Sequence, residues 1–326
     1  YLRGLEWRGG TLLDTLLVRG FGVEIPADHD GVKGAELVAR LSRCMLVGAV
    51  ARALDPGCKV DTQVVLVGGQ GINKSRGLAA LCPRPEWFAD THIDLMSKDM
   101  FVQLRGKWIY ENAEMSAIKR VDMEKVKSYL SSSTDSYRPP YGRCTEDFPR
   151  RCVFVGSTNN EDFLTDDTGS RRFWPLKMVE GSVGDVAWIV ENRGQLWAEA
   201  CAAYFAGELW WLDKAFERAL ADHSENFRSE NPWSGVIHPI LDALDAKHGG
   251  VGFTLNDVRI MLNISAEKWT HAVQIHVGSA LLSHGYRKYR PRVGIHGYPR
   301  LYHRPEAPAT PPESSSGAEP ADGLPH

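Results

Sequence analysis

Cysteine is scarce in this chain of 326 residues, and the six present, Cys44, Cys58, Cys82, Cys144, Cys152 and Cys201, form no CxxC pair. Such sparse spacing disfavours a disulfide framework and suits reduced thiols in a cytosol. Zinc-ligand spacing is missing as well. His271 and His276 lie close together with no Cys or acidic cluster beside them, so they read as core or surface histidines. No apolar run is long: the most apolar, CMLVGAVA from Cys44 to Ala51, sits between Arg43 and Arg52 and is far too short to span a bilayer. No secretory signal precedes it, so no membrane partner and a cytoplasmic location are expected. Neither sign of charge dominates, with 38 Lys and Arg against 41 Asp and Glu and a formal net charge of -3. Any binding to nucleic acid must therefore come from a local patch. There is no internal repeat, and the first residue, Tyr1 rather than Met, predicts a fragment of a longer protein.

What is present divides the chain into five stretches. Residues 1–60 read as a helical region, in which GAELVARLSRCMLVGAVARAL (34–54) is apolar on most sides and predicts one buried helix ended by Pro56 and Gly57. From 61 to 180, short apolar strands (VVLVG, KWIYE, RCVFVGS, RRFWPL) alternate with helices and turns, which predicts an α/β core with a mainly parallel sheet. Residues 181–230 return to helix as a lid or connector. Residues 231–304 have a winged-helix pattern: a helix over VIHPILDALDAKH, a second opened by the capping box Thr254-x-x-Asp257, and a third from Ser265 to Gly285. Two strands, YRKYRPR and YPRLYHR, follow around Gly294 and Gly297. The tail, 305–326, is rich in Pro, Ser, Ala and Glu and is expected to be disordered.

The chemistry begins at TQVVLVGGQGINKS. A phosphate loop converges backbone N–H groups and a helix N-terminus on phosphate oxygens, adds a Lys for charge, and adds a Ser or Thr hydroxyl for Mg²⁺. Gly68, Gly69, Gln70, Gly71, Ile72, Asn73, Lys74 and Ser75 follow that pattern, with Asn73 where the G-x-x-x-x-G-K-[ST] consensus has its second glycine. Asn enters left-handed backbone more easily than other residues with a Cβ, so the replacement is tolerable for the backbone, although its side chain could crowd the phosphates. The bland alternative is a Gly-rich turn with no ligand.

An ATPase also needs a carboxylate for the Mg²⁺ shell and usually another to orient or deprotonate water. KWIYENAEM supplies Glu111 at a strand end and Glu114 just beyond it, where α/β sheets place ligands. RRCVFVGSTNNEDF supplies Thr158 and Asn159 at another strand tip, although Asn-Asn is also common turn chemistry. TDDTGSRRFWPL puts Arg171 and Arg172 before a further strand, where guanidinium groups suit phosphate recognition or simply pair with Asp166 and Asp167.

The segments PGCKVDTQVVLVGGQGINKS, LRGKWIYENAEM, YRPPYGR, RRCVFVGSTN, TGSRRFWPL and RGQLWAEA, spread over about residues 1–215, resemble the virulence-associated protein E family. That family is similar to superfamily 3 helicases and belongs to prophages, satellite phages and mobile islands. The resemblance implies a P-loop, AAA+-like ATPase core using ATP and Mg²⁺ in a bacterial host cell. Lys74 and Ser75 would form the Walker A pair, with Ser75 and Glu111 toward the metal. Glu111 and Glu114 would be the Walker B acids and Asn159 sensor 1. Arg171 or Arg172 would be a finger reaching a neighbour's ATP in a homo-oligomeric ring, a hexamer being the expected form. Asn73, and Arg76 where a small residue is usual, depart from the family pattern and bear on ATP affinity.

Two segments are candidates for DNA. DSYRPPYGRCTEDFPRR predicts a hairpin running outward from Tyr137 to Arg143, turning at Glu146 and Asp147 and returning through Arg150. In superfamily 3 helicases such a hairpin grips single-stranded DNA in the ring channel, and Arg138, Tyr141 and Arg143 offer charge and stacking here. SHGYRKYRPRVGIHGYPRLYHR (283–304) interleaves tyrosines with Arg287, Lys288, Arg290, Arg292, Arg300 and Arg304 and contains no acidic residue. The leading expectation is an ATP-driven motor that translocates along or unwinds DNA in replication of a phage or mobile element, with a primase domain or partner as a companion. A DNA-dependent ATPase acting as initiator or loader uses the same site, and a DNA-binding scaffold with a decayed loop is the non-enzymatic alternative.

Overall fold

A run of five buried residues, QVVLV, can only be the centre of a sheet covered on both faces, and it is. The computed structural model describes residues 1–91, 101–113, 120–139, 142–164, 170–228, 231–249, 252–289 and 301–304. Glu114, Tyr141, Arg290, Arg292, Arg300, Asp166, Asp167 and the tail from 305 lie outside the described residues. The chain divides into two units, Tyr1–Ser229 and Glu230–His326.

In the first unit, a short helix α1 (Leu12–Thr15) precedes the long helix α2 (Gly34–Leu54). Strand β1 (Gln63–Val67), helix α3 (Lys74–Leu81), and strands β2 (Phe88–Ala89) and β3 (Ile109–Asn112) follow. Then come α4 (Arg120–Ser131), β4 (Thr134–Tyr137), β5 (Glu146–Pro149), β6 (Val153–Thr158), β7 (Phe173–Lys177), α5 (Val186–Phe205) and α6 (Lys214–Glu225). Five strands form one sheet in the order β2-β3-β6-β1-β7 with every pairing parallel. An α/β fold with a parallel sheet is thus what the alternating strand and helix patterns produce.

Because successive strand residues point to opposite faces, β1 feeds two cores. Val64 and Leu66 pack with Leu37, Leu41, Leu78 and Leu196 of the helices on one face. Val65 and Val67 pack with Tyr129, Leu130, Phe163 and Phe227 on the other. Helix α2 is apolar nearly all round and is correspondingly buried over most of its length. Its start needs a glycine, since a Cβ at Gly34 would stand 1.8 Å from the Pro26 carbonyl oxygen. Its polar edge is held by Arg43, which bridges Asp14, Glu199 and Glu208.

The β4–β5 pair is an antiparallel hairpin, but its bounds differ from the sequence expectation. Tyr137 pairs with Glu146, so Glu146 and Asp147 belong to the returning strand and the connection begins at Arg138. The reason is Pro139, which offers no N–H to a ladder and ends the outgoing strand early. Arg150 follows β5 on the return, as expected, its N–H donating to the Ser133 carbonyl at 2.9 Å, and its side chain is fully buried at the hairpin base.

The second unit contains α7 (Pro232–Ile237), α8 (Leu241–His248), α9 (Leu255–Met261), α10 (His271–Ser283), and strands β8 (Arg287–Tyr289) and β9 (Leu301–His303). The expected first helix is split by a tight turn at His238–Ile240, where Pro239 interrupts the helical bonding. The third begins at His271 rather than Ser265, because Thr270 supplies the side-chain cap, accepting from the Val273 N–H. The Thr254–Asp257 capping box forms in full. Strands β8 and β9 pair antiparallel, and Phe253, Val258, Val277, Leu281, Tyr286 and Tyr302 fill the core. Among the described residues, no helix is long and apolar enough to cross a membrane.

Candidate active site

The C-terminal ends of β1, β3 and β6 converge, and their registers fix what meets there. Val67 stands opposite Thr158 and the Gly68 N–H donates to the Thr158 carbonyl at 3.1 Å, so the loop after β1 starts beside the tip of β6. That loop, residues 68–73, turns sharply into α3. Gly71 has φ +81, and Asn73 sits at φ +64, ψ 22, in left-handed backbone. Asn tolerates that conformation. The Asn73 Nδ2 group donates to the Gly184 carbonyl at 3.3 Å, while the Gly184 N–H donates to the Ile72 carbonyl at 3.0 Å. The residue that breaks the consensus therefore ties the loop to a distant turn.

Lys74 is buried at the first turn of α3. Its ammonium uses three donors: Nζ lies 2.6 Å from the Gly68 carbonyl oxygen, 2.6 Å from that of Gly69, and 2.8 Å from Asn159 Oδ1. Burial pulls its pKa below the usual lysine value, and the attraction of Glu111 opposes that. Ser75 Oγ donates to Glu111 Oε1 at 2.7 Å. Glu111 is 1% exposed, and Ser157 Oγ donates to the same oxygen at 2.5 Å. The second oxygen, Oε2, is buried with no hydrogen-bond partner among the described residues. Burial pushes the Glu111 carboxyl above the ordinary carboxylate range, and the Ser157 and Ser75 hydroxyls act the other way. Asp90, exposed just after β2, raises it further through like charge.

An orphaned carboxylate oxygen beside a serine hydroxyl and a lysine is an arrangement short of a cation. The donors are hard oxygens, which suit Mg²⁺ with most of its waters retained. Residues present thus fit a magnesium–phosphate ligand: the loop, Lys74 and Ser75 on one side, Glu111 on the other, Asn159 at the edge. Among the described residues no cluster of three or more His, Cys, Asp or Glu could hold a metal by itself.

Arg171 and Arg172 are not brought to this place. They precede β7 at its N-terminal end, and Phe173 pairs with Gln63, four residues before Val67. At about 3.3 Å per residue, the pair stands roughly 13 Å or more along the sheet from the loop. The two differ in state. Arg172 Nε donates to Ser131 Oγ at 3.0 Å and lies 3.9 Å from Asp61 Oδ2. The guanidinium of Arg171 is exposed and makes no ion pair or hydrogen bond among the described residues, while its carbonyl accepts from the Trp174 indole at 3.1 Å.

Arg138 and Arg143 are exposed on the hairpin connection, Arg138 Nε donating to the Gly142 carbonyl at 2.6 Å. In the second unit, Arg287 and Lys288 are exposed on β8, with Lys288 Nζ 5.8 Å from the centroid of the Tyr302 ring. Sequence reasoning missed Ser157, a small polar residue within an apolar strand, which was the available signal. It also missed the buried group beneath the hairpin. There Arg150 Nε and Nη2 lie 2.9 and 2.5 Å from Asp135 Oδ1, and Nη1 lies 2.5 Å from the Tyr129 carbonyl oxygen.

A family model for the virulence-associated protein E-like domain matches residues 2–229. Among solved structures, the chain is similar to the apo structure of the NrS-1 C terminal region (305-718), at 14% identity and a TM-score of 0.48. That match covers 93% of this chain and 77% of the other. The A form apo structure of the same NrS-1 region is similar at 13% identity and a TM-score of 0.46, covering 86% of this chain and 65% of the other. No curated protein matches.

Proposed function

The chain belongs to the virulence-associated protein E-like family, and from that premise we propose that it is an ATP-hydrolysing, DNA-translocating or DNA-unwinding replication protein of a phage or mobile element. The core is read as an AAA+-like P-loop ATPase and the second unit as a winged-helix-like DNA-binding domain. The observation that carries the reading is the coupling of Lys74 to Asn159 and of Ser75 to Glu111 across three strand ends.

On nucleotide entry, Lys74 exchanges its bonds to the Gly68 and Gly69 carbonyls for phosphate oxygens, a charge-assisted gain. Residues 68–73 surround the phosphates with backbone N–H groups and the start of α3. Ser75 and Glu111 would hold Mg²⁺, which when bound neutralises charge on the phosphates. Asn159, released from Lys74, orients the attacking water, and Glu114 accepts its proton. Arg171, exposed and remote from its own loop, serves a neighbour's site in a homo-oligomeric ring, where a guanidinium stabilises transition-state charge. Arg138, Tyr141 and Arg143 face single-stranded DNA in the channel, and Arg287, Lys288, Arg290 and Arg292 contact phosphates.

The deciding experiment is ATP turnover measured with and without single-stranded DNA, in the parent and in Lys74→Ala. Turnover stimulated by DNA and abolished in a folded Lys74→Ala protein is expected. Parent-rate hydrolysis by Lys74→Ala, or a folded parent with no hydrolysis, overturns the reading.

A further inference from the structure

The carboxylate of Glu111 is held by two hydroxyls from independent elements, and only one of them belongs to the phosphate loop. Ser75 comes from α3, whereas Ser157 comes from β6, the strand between β3 and β1 in the sheet. Ser157 stands opposite Leu66 of β1 and is 5% exposed, so it borders both the carboxylate's strand and the loop's strand. Both hydroxyls donate to Oε1, at 2.7 and 2.5 Å, and Oε2 takes neither.

We infer that Ser157 is a positioning residue that fixes the plane of the Glu111 carboxylate, with one oxygen held by both hydroxyls and the other left for the cation site. The two carboxylate oxygens are equivalent, so what matters is the plane they define, and the terminal torsion of a glutamate is broad enough for that plane to swing when one hydroxyl alone holds it. A second hydroxyl, fixed on a rigid central strand, removes that freedom. A hydrogen bond to a buried charged acceptor is worth enough to hold one orientation, and Ser157 remains in place when the loop rearranges around phosphates. The inference rests on the ATP–Mg²⁺ reading of this site. Its consequence concerns the metal-dependent part of nucleotide binding rather than the phosphate grip of Lys74.

The test is equilibrium titration of the full chain with a fluorescent, non-hydrolysable ATP analogue, in Mg²⁺ and in EDTA. Parent, Ser157→Ala and Ser157→Thr are compared, with melting temperatures recorded beside them. Ser157→Ala is expected to lose about tenfold of the Mg²⁺-dependent gain in affinity, equivalent to about 1.4 kcal/mol, with EDTA affinity unchanged. Ser157→Thr, which keeps the hydroxyl, is expected to retain the parent's gain. A Ser157→Ala protein with the parent's Mg²⁺ response overturns the inference and leaves the ATPase reading standing. Equal loss in Ala and Thr variants reduces Ser157 to a packing role and also overturns it. A parent that binds no analogue in either condition overturns the ATPase reading and this inference together.

Discussion

Removing the carboxylate of Asp135 should destabilise the first unit more than any change on its surface. The Arg150 side chain is 0% exposed and that of Asp135 7%, so the pair is almost dry. Asp135→Ala would leave a buried guanidinium whose Nε and Nη2 have lost their acceptor. Breaking a buried pair in this way costs about 3–5 kcal/mol. Arg150 keeps its bond to the Tyr129 carbonyl and its place over the Tyr129 and Phe154 rings, at 4.9 and 5.4 Å, which favours the lower end. For a unit of this size, about 3 kcal/mol lowers Tm by roughly 6–12 °C. Asp135→Asn, which keeps shape and an acceptor but loses charge, should fall between parent and Ala. Thermal unfolding followed by circular dichroism, with urea midpoints as a second measure, provides the assay. A loss below about 1 kcal/mol would place the pair with solvated surface ion pairs and refute the argument from burial.

Three further outcomes follow from the geometry. Asn73→Ala should destabilise the loop by about 1–2 kcal/mol, because Ala at φ +64 is strained, whereas Asn73→Gly should lose only the bond to Gly184; equal melting points for the two variants would contradict this. Arg171→Ala should bind ATP but hydrolyse it about a thousandfold more slowly, and mixing it with Lys74→Ala should restore part of the rate once subunits exchange, whereas Arg172→Ala should chiefly lower stability. Mixtures as inactive as either variant alone would remove the in-trans role. Burial pushes the His223 imidazole below its ordinary 6.5, its Nε2 lying 3.1 Å from the Pro175 carbonyl oxygen. The neutral ring is then the folded form, so its contribution is complete above about pH 6.5 and is lost as pH falls through the lowered folded value. Urea midpoints across pH 7 to 5 should show a shallower acid decline in His223→Gln, and an unchanged slope would exclude His223 as a source.

The sequence alone was sufficient where the physics is local. The unbroken apolar VVLV, closed by Gly68 and Gly69, reads as an interior strand of a doubly covered sheet. GGQGINKS after it has to be a tight turn into a helix, because only glycine and asparagine suit its left-handed positions. The placement of Glu111 and Asn159 at strand ends was legible because each follows a short apolar run that reads as a strand. Tertiary structure decided everything that depends on register between distant segments. It brings Ser157 to Glu111, joins Asn73 to Gly184, and buries the Arg150 side chain against Asp135. It also separates two adjacent arginines, tying Arg172 to Ser131 while leaving Arg171 exposed. In each case the side chain's environment is set by which strand lies alongside and at what offset. A shift of one residue would reverse the face on which it lies, and no local pattern of residue types encodes that offset.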